Sequence, residues 1–463
     1  HPVAHSFPTR RSSDLVEKED LAAGLCHAIV ANYLNKVVEQ RPIGRKIFFQ
    51  GGTALNPGIT AAFSQVLGRE IIVPEHNEVT GAIGAAFLAL RQHQGPSAFL
   101  GFDLSKRQAQ TKYFVCSGCA NACEVQKVSF QDMSRPLYFG HRCERYDQAH
   151  SSQRDMALDV VHQREELITA YGRESGSPEP QSPRIGLPKC LFFQEWIPFF
   201  HTLFSELGFE VLTSDSTTRR QISIGSERMA AEACLPMKAA HGHVQDLITK
   251  KVESIFLPQI RELPAWFGSD HTGTICPYVQ SLPWVIRSAF SLQDQGINLI
   301  SPVLRLGGGP QDNVRQWKDL ARELDISWRD MRRALEKAWK AQHRFTSAVK
   351  KSGRDILDRV KAGERAVLLI GRPYNALDPG MNMNVSAKLR KLGMPTLTLD
   401  SLPLEEAEHA EELDNMYWAY GKRILAAGRL LADYPGLIPV FITNFSCGPD
   451  AFILHFFERQ LGD

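Results

Sequence analysis

The order of hydrophobic and polar positions from residue 17 onward predicts helices that alternate with short strands. Apolar residues at helical spacing predict a helix over 19–39, and a strand over 46–49 leads into a glycine turn. A helix over 59–67, a strand over 70–73 and a helix of small residues over 80–91 follow. Because strands that alternate with helices favour parallel sheets, this region predicts an α/β fold.

The same alternation returns at Arg184 and continues to the end of the sequence. The stretch between the two regions holds four of the nine cysteines and a linker rich in Gly, Ser and Pro. The predicted order is an α/β domain, a cysteine-rich metal module, a linker, a Rossmann- or flavodoxin-like α/β unit, a helical insert and a second such unit. These segments span, in order, 17–95, 111–150, 151–183, 184–310, 311–363 and 364–463.

Both ends of the sequence are expected to be breaks in a longer coding sequence. Residues 1–16 lack a starting Met, hydrophobic periodicity and the apolar centre of a signal peptide. We interpret them as a non-native leader that resembles translated sequencing-adapter sequence. At the other end the second α/β unit stops at Asp463, so this unit is expected to be truncated.

Composition and charge narrow the class of protein. Of 463 residues, 43% are hydrophobic and 22% are charged, which is typical of a globular chain with a sizeable core. The net charge of +2 argues against a nucleic-acid-binding protein. We see no apolar run of the roughly 18 residues that span a bilayer, which predicts no membrane segment. Nine cysteines without an export signal favour a cytoplasmic protein that keeps its thiolates for metal.

Four of the cysteines are spaced as C-x2-C-x3-C-x19-C, at Cys116, Cys119, Cys123 and Cys143. Thiolates on one tight turn, joined by one from a following hairpin, can close a tetrahedral sulfur shell. Four unrelated core cysteines are the weaker alternative for so tight a cluster. Spacing alone does not distinguish a structural zinc from a [4Fe–4S] cluster.

Three further cysteines are far apart in sequence but share a local pattern. Cys234, Cys276 and Cys447 are each followed within two residues by Pro, a context that exposes a side chain at a strand end or a helix start. Each alone would more often be a core residue. Together they predict a three-thiolate [4Fe–4S] site, which leaves one iron open to substrate. Cys26 and Cys190 are interpreted as packing residues.

Other short motifs are weaker. The turn at Gly51, Gly52 and Asn56 allows the backbone to approach an adenine or a ribose, but such a turn is usually only a turn. Arg372 follows a predicted strand and could hold a phosphate or carboxylate, or could equally be paired internally. The pair His241 and His243 is interpreted as a solvated helix face, because positions i and i+2 point apart on a helix.

At these residues the chain resembles a known family. The motifs QGGTALN at 50–56, VPE at 73–75 and GAIGAA at 81–86 resemble the C-terminal end of the ATPase that activates 2-hydroxyacyl-CoA dehydratases and benzoyl-CoA reductases. That family has the fold shared by acetate and sugar kinases, Hsp70 and actin. Residues 113–463 are similar to a domain of unknown function fused behind two such ATPase modules in large anaerobic proteins. The motifs that carry this second resemblance are CSGCANAC, GHRCERY, EACLPMK, CPYVQ, GRPYNALDPGMNMN, MYWAYGKRIL and NFSCGPDAF.

The resemblance implies a component of an ATP-driven, low-potential electron relay. Electrons from a donor such as ferredoxin or flavodoxin would reach a [4Fe–4S] cluster on Cys234, Cys276 and Cys447, and then an acyl-CoA-type substrate. Lys238 and Gln280 are expected beside that cluster, tuning its potential or gripping substrate. No catalytic residue and no particular substrate is predicted.

Departures from the family limit this prediction. A phosphate loop of the D-x-G-S/T type is not seen before residue 17, so Gly51, Gly52 and Asn56 would supply only the adenosine side of a nucleotide site. The fragment alone is therefore not expected to hydrolyse ATP, and ATP or ADP would need the complete ATPase modules of a longer chain. The competing hypothesis is a non-catalytic, zinc-stabilised scaffold that docks a separate redox partner.

Overall fold

The computed structural model describes most of the chain. The described residues are 17–39, 41–92, 95, 106, 108–116, 122–131, 133, 136–142, 146, 157–174, 181–229, 231–266, 272–306, 313–407, 415–445 and 447–462. The chain divides into two compact units, His1–Arg107 and Gln108–Asp463.

The N-terminal unit is a small α/β arrangement. Strands β1 and β2 are two residues long and pair in parallel, as the alternation predicts. Asn56 starts the second helix by accepting a hydrogen bond from the Gly58 amide, and Gly68 ends it in the left-handed conformation. The elements are α1 (Lys18–Tyr33), which continues as a π-helical turn (Leu34–Val38), β1 (Ile47–Phe48), α2 (Pro57–Leu67), β2 (Ile71–Ile72) and α3 (Thr80–Gln92).

The core of this unit is small, and most of its apolar side chains are exposed. Val30, Ile59, Ala62 and Phe63 pack together between α1 and α2. Helix α3 buries none of its residues. Large apolar side chains are exposed chiefly on the helices rather than on a sheet face, at Leu21, Leu25, Ile29, Ile83, Phe87, Leu88 and Leu90.

One helical stretch of this unit, Lys18–Val38, is long and apolar enough to cross a membrane by length and composition alone. It has 21 residues, and its most apolar window has a mean hydropathy of 1.2 and is 6% buried. A single stretch of this kind does not establish a membrane segment, so the prediction that the chain has none stays a prediction. Core helices and signal sequences can have the same composition, so the localisation stays a prediction.

The second unit begins with an antiparallel three-stranded sheet of order β3-β4-β5, in which Cys116 follows β3 and Cys123 precedes β4. Gly140, just after β5, has φ of +82°, and a Cβ there would overlap the carbonyl oxygen of Glu124. The strands are β3 (Ala109–Val115), β4 (Glu124–Phe130) and β5 (Leu137–Phe139).

The rest of the second unit alternates helices and strands. The elements up to residue 264 are α4 (Val160–Glu174), β6 (Arg184–Leu187), α5 (Phe193–Glu206), β7 (Glu210–Thr213), α6 (Arg219–Arg228), α7 (Leu235–Thr249), β8 (Ser254–Phe256) and β9 (Gln259–Pro264). The next are β10 (Thr272–Thr274), α8 (Pro277–Gln280), α9 (Leu282–Ala289), β11 (Asn298–Ile300), β12 (Val303–Arg305), α10 (Val314–Glu323) and α11 (Trp328–Lys361). The last are β13 (Ala366–Ile370), α12 (Pro373–Ala376), α13 (Val385–Lys391), β14 (Thr396–Thr398), α14 (Ala419–Leu430), β15 (Leu437–Phe441) and α15 (Gly448–Leu461).

Two of its sheets are parallel, as the alternation predicts. The four-stranded sheet has the order β11-β8-β6-β7, and the three-stranded sheet has the order β14-β13-β15. A third sheet, β10-β9-β12, mixes one antiparallel and one parallel pair. The mixed α/β class is therefore confirmed. The helical insert predicted over 311–363 consists of two helices, α10 and α11, and Ser327 caps the start of the second one.

Aromatic side chains of α5 form the centre of the larger hydrophobic core. Phe199, Phe200 and Phe204 are fully buried and contact the rings of Trp317, Trp339 and Phe256. Because α5 buries residues on nearly every side, it lies inside the unit rather than on its surface. The residues of β13 and β15 belong to two further clusters of buried side chains.

Candidate functional site

The loops after β13 and β15 lie side by side at the same end of one parallel sheet. The strands are in register from Ala366 with Leu437 to Ile370 with Phe441. Gly371 comes so close to the second loop that a Cβ would lie 2.5 Å from the Ile442 carbonyl oxygen. A parallel sheet brings the carboxyl ends of its strands together, which is where such folds bind ligands. Arg372 and Cys447 are each carried by one of these loops.

Arg372 is a buried cation with specific partners. Its Nε donates to Asp450 Oδ1 at 2.7 Å and its Nη1 donates to the Tyr374 hydroxyl at 3.1 Å. Thr443 donates to the other Asp450 oxygen at 2.6 Å. Burial lowers the pKa of Arg372, but Tyr374, Asp450 and Cys447 together raise it above its usual range, so the guanidinium is charged.

The cysteines Cys234, Cys276 and Cys447, named the three-cysteine site below, occupy the same position in their local structure. Each is the residue that precedes the first turn of a helix: α7, α8 and α15 respectively. Each of these helices has Pro in its first two positions, where the missing amide hydrogen costs nothing and the fixed φ favours the helix. Arg372 occupies the equivalent position before α12, whose first residue is Pro373.

Electrostatic interactions link these residues to one another. Burial raises the pKa of the Cys447 thiol to about 11, and the Arg372 guanidinium opposes that rise. Burial also raises the pKa of Cys234, whose thiol interacts with both Cys276 and Arg372. The phenol of Tyr374 interacts with Cys276. Arg372 therefore acts electrostatically on Cys447 and Cys234, whereas Cys276 is linked to Cys234 and to Tyr374.

The side chains are not arranged as a ready-made metal site. Over the parts of the chain that the structure describes, no group of three or more His, Cys, Asp or Glu side chains is positioned to hold a metal ion. The cluster predicted on the three-cysteine site therefore stays a prediction.

An amide group beside the site has a donor that is not used. Asn375 is 2% exposed, and its Oδ1 accepts a 2.7 Å hydrogen bond from Asn444, three residues before Cys447. Its Nδ2 is buried and, within the described residues, has no hydrogen-bond partner. An unsatisfied buried donor costs about 1–3 kcal/mol unless a ligand supplies the acceptor. Thiolate or sulfide sulfur is such an acceptor, so the donor chemistry here suits a sulfur-ligated cofactor.

Lys238 and Gln280, which sequence reasoning placed beside the cluster, lie in the first turns of α7 and α8. Lys238 forms an ion pair of 2.9 Å with Glu232, whose side chain is exposed. Gln280 donates to the Ile275 carbonyl at 2.8 Å, which closes the turn around Cys276. The contacts of Gln280 are those of a residue that holds this turn in place.

The first cysteine cluster is described in part. Cys116 and Cys123 end β3 and precede β4, and the Cys116 amide donates to the Cys123 carbonyl at 2.8 Å. The hairpin therefore places these two residues side by side. Cys119 and Cys143 lie outside the described residues, so the four-thiolate site and the choice between zinc and iron–sulfur stay predictions.

The glycine turn of the N-terminal unit is open to a ligand. Gly51 has φ of +91°, and a Cβ on Gly51 or Gly52 would meet no atom within 4 Å. Asn77 holds the turn, since its side chain donates to the Gly51 carbonyl at 2.9 Å. The Asn56 side-chain oxygen caps α2 at 2.9 Å from the Gly58 amide. Their role toward an adenosine group stays a prediction.

Sequence reasoning missed a buried hydrogen-bond chain through His243. The interpretation of His241 and His243 as a solvated face is wrong, because both are fully buried. Ser214 Oγ lies 2.7 Å from His243 Nδ1, and Thr217 Oγ1 lies 2.8 Å from Nε2 and donates to Asp378 at 2.5 Å. Burial lowers the pKa of His243 to about 4 and raises that of Asp378 to about 6.

A second missed feature is the buried ion pair between Arg423 and Glu195. Arg423 also donates to the carbonyl oxygens of Ala265 and Pro264, which ties α14 to the end of β9. Burial raises the pKa of Glu195, while Arg423 opposes that rise. A short-range sequence pattern does not identify such a pair, since its partners are 228 residues apart.

Two family models match parts of this chain, one in each unit. Residues 184–402 match the CoA enzyme activase uncharacterised domain (DUF2229). Residues 7–89 match the BadF/BadG/BcrA/BcrD ATPase family. These ranges include the N-terminal unit, Arg372 and two of the three cysteines of the three-cysteine site.

Two curated proteins are similar to part of the chain. A 2-hydroxyisocaproyl-CoA dehydratase activator of Clostridioides difficile is 38% identical over 77 residues, which cover 17% of this chain and 29% of the relative. An uncharacterised protein of Methanocaldococcus jannaschii is 34% identical over 71 residues, or 15% of this chain and 17% of the relative. The matches thus span less than a third of either relative. The chain therefore contains one region similar to part of the BadF/BadG/BcrA/BcrD ATPase family and a second region similar to the CoA enzyme activase domain DUF2229.

Proposed function

We propose that this chain is a component of an ATP-driven electron-transfer system that activates acyl-CoA dehydratases or related reductases. In this proposal the three-cysteine site binds a [4Fe–4S] cluster in the second unit. The N-terminal unit contributes to an ATPase module, with Gly51, Gly52 and Asn56 toward the adenosine of the nucleotide. A [4Fe–4S] cluster held by three thiolates supplies one-electron chemistry and one iron that is open to a ligand.

The observation that carries the proposal is the repeated placement of the three cysteines. Three helices from distant parts of the sequence each begin directly after a Cys and have Pro in their first turn. The first-turn amides of a helix are unpaired donors that favour a negatively charged neighbour such as a thiolate. Cysteines that served only to pack a core would not need to share this position before a helix.

A thiolate-rich cofactor is negatively charged and accepts hydrogen bonds, so it needs positive charge and donors around it, and the remaining residues of the site supply both. Arg372 supplies a buried positive charge, and Asn375 supplies an amide donor that is not used by the protein. Gln280 holds the turn that presents Cys276. All three cysteines are partly buried free thiols.

The partners follow from the proposed role. A CoA-ester dehydratase or reductase would receive the electron, and an acyl-CoA would be its substrate. A ferredoxin or flavodoxin would donate the electron, and further ATPase sequence would complete the nucleotide site. The Cys116 module would bind a second cluster or a structural zinc.

Metal analysis of the anaerobically purified chain tests the proposal. We expect iron and acid-labile sulfide, with a broad visible absorption from sulfur-to-iron charge transfer. The variant Cys276→Ala should lose about one cluster, or ~4 iron atoms per chain, and leave the metal of the Cys116 module in place.

The matched control is Cys26→Ala, which removes a thiol from the small core of the N-terminal unit. Its iron content should equal that of the unchanged chain. A colourless protein that contains only zinc would contradict the proposal and favour the scaffold hypothesis. Unchanged iron in Cys276→Ala would exclude the three-cysteine site as the place where the cluster binds.

A further inference from the structure

One stretch of the long helix α11 carries charge of a single sign. Between positions 337 and 354 the sequence has six Lys or Arg residues and no Asp or Glu, although the whole chain has a net charge of only +2. One of the six, Lys350, is partly buried and pairs with Glu405 at 2.8 Å. The other five are exposed and are named the basic row below: Lys337, Lys340, Arg344, Lys351 and Arg354.

The basic row lies along one face of the helix. Its members follow one another at steps of three or four residues, and exposed Ser347 occupies the position between Arg344 and Lys351. Positions three and four apart are neighbours on a helix surface. Because a helix rises 1.5 Å per residue, the row extends for about 26 Å.

The first turns of the same helix are charged in a different way. Arg332 and Arg333 are also exposed, but each has an acidic neighbour on the helix. Arg332 lies 3.8 Å from Glu336, and Arg333 lies 3.5 Å from Asp330. The charges of this end of the helix are therefore compensated locally.

The basic row is compensated at one end only. Lys337 pairs with Glu206 of α5 at 2.6 Å. Lys340, Lys351 and Arg354 form no ion pair with any residue that the structure describes. Like charges three and four apart on a helix repel one another. A row of carboxylates from outside would remove this repulsion and meet a complementary potential.

The surroundings of the row favour a protein as the source of those carboxylates. Helix α11 is described over its whole length and exposes no large apolar side chain, whereas a helix that lies on a membrane inserts such side chains. The ring of Trp339 packs on Trp196 and Phe199, and Phe345 is buried, so no aromatic face is offered to a nucleic-acid base.

We propose that the basic row is a docking surface for a partner protein whose exposed helix carries carboxylates along one face. The inference goes beyond the proposed function, since it depends neither on the cysteines nor on a nucleotide. Exposed charges of this kind speed association and select the partner more than they add affinity. The complex should therefore form fast, bind weakly and depend strongly on salt.

Two labelled peptides of identical composition test the proposal. Both are helical peptides of Ala and Glu. The first places its Glu residues at steps of three and four along one face, and the second spreads them around the helix. Fluorescence anisotropy with the purified full chain measures binding. We expect the first peptide to bind at least about fivefold more tightly than the second, and to bind about tenfold more weakly when salt is raised from about 50 to about 300 mM.

Charge reversal within the row should abolish most of this binding. The double variant with Lys340→Glu and Lys351→Glu should bind the first peptide at least about tenfold more weakly. The matched control has Arg332→Glu and Arg333→Glu, which make the same change of net charge at exposed positions of the same helix. The control should change binding by less than about threefold. The neutral pair of changes Lys340→Gln and Lys351→Gln should give an intermediate loss.

The outcomes decide between a specific row and general attraction. Tighter binding of the first peptide, lost in the Lys variant and kept in the Arg control, would support the proposal. Equal binding of the two peptides, or an equal loss in both double variants, would overturn it. Tighter binding of an oligothymidine of the same net charge, or of vesicles that contain phosphatidylserine, would also overturn it and assign the row to a nucleic acid or a membrane. None of these outcomes depends on bound iron, so the proposed function is tested separately.

Discussion

Helices α3 and α7 are both rich in small and apolar residues, yet α3 is exposed in its unit and α7 is largely buried in the other. Helix α3 (Thr80–Gln92) buries none of its residues, and a Cβ added to Gly81 or Gly84 would meet no other atom. Helix α7 (Leu235–Thr249) buries nine, including both histidines, and Gly242 lies against backbone of α6. Helices that share a richness in small and apolar residues are thus exposed in one unit and tightly packed in the other.

The difference shows that hydrophobic pattern specifies an element but not its partner. Helix α7 has α6, the neighbouring sheet and the His243 chain around it, whereas α3 belongs to a unit whose core contains only a few side chains. The contrast extends to charges. The second unit buries ion pairs such as Arg423 with Glu195, whereas the pair of His76 with Glu75 in the N-terminal unit is exposed. Four experiments test how far this contrast extends.

The largest effect is expected for the buried ion pair of the second unit. Arg423→Met leaves the Glu195 carboxylate buried without its cation, which should reduce the free energy of unfolding by about 3–5 kcal/mol. The control Glu75→Gln removes an exposed pair and should change the free energy by less than about 0.5 kcal/mol. All seven tryptophans lie in the second unit, between 196 and 418, so denaturant unfolding followed by tryptophan fluorescence reports on it. A cost for Arg423→Met no greater than that of the control would contradict the prediction.

The stability of the second unit should change with pH because His243 and Asp378, which belong to one buried hydrogen-bond chain, titrate in the acid range. The pKa of His243 falls from 6.5 to about 4 on folding, so its stabilising contribution is present above pH 6.5 and is lost as the pH falls to 4. The pKa of Asp378 rises from 3.8 to about 6, so its contribution is present below pH 3.8 and is lost as the pH rises to 6. Each amounts to about 3 kcal/mol, and the two oppose each other between pH 4 and 6.

Single substitutions should separate these opposing contributions. Asp378→Asn leaves the His243 contribution, so the variant should lose stability more steeply than the original chain as the pH falls from 6.5 to 4. His243→Gln leaves the Asp378 contribution, so the variant should gain stability relative to the original chain over the same range. Unfolding free energies at several pH values check both slopes. Parallel slopes for the two variants would show that neither group titrates as the burial indicates.

The close approach of α6 and α7 should tolerate no added methyl group. A Cβ on Gly242 would overlap the Gln221 carbonyl oxygen, and one on Gly225 would overlap the carbonyl oxygen of Lys238. Gly242→Ala should therefore cost about 1–3 kcal/mol or more, because backbone rather than a flexible side chain must move. The control Ser226→Ala changes an exposed neighbour on α6 and should have little effect. A stable Gly242→Ala variant would mean that the two helices are farther apart than in this structure.

The contact between α6 and α7 illustrates which features the sequence predicts and which it does not. The alternation of elements was sufficient for the parallel sheets, because it depends on local preferences. The Cys-to-Pro spacing narrowed Cys234, Cys276 and Cys447 to a strand end or a helix start, and the structure shows a helix start at each. The burial of His243 was missed because it depends on α6, whose glycine contact is set by tertiary packing. Internal pairing of Arg372 was one of the two alternatives taken from the sequence, and the structure shows it, but the partner Asp450 could not be named. The two residues are 78 positions apart and meet only because β13 and β15 pair in register.

The smallest expected effect lies in the open helix of the N-terminal unit. Gly84 lies inside α3 with empty space around it, so Gly84→Ala adds no clash and removes backbone freedom from the unfolded chain. The variant should stabilise the helix by about 0.5–1 kcal/mol, measured as slower hydrogen exchange of peptides from residues 80–92. Gly68 is the matched control, because it also has empty space around it but ends α2 with φ of +60°. Gly68→Ala should therefore destabilise α2 by about 1 kcal/mol. If Gly84→Ala instead speeds exchange of α3, then this helix has a packing partner after all, and its contrast with α7 disappears.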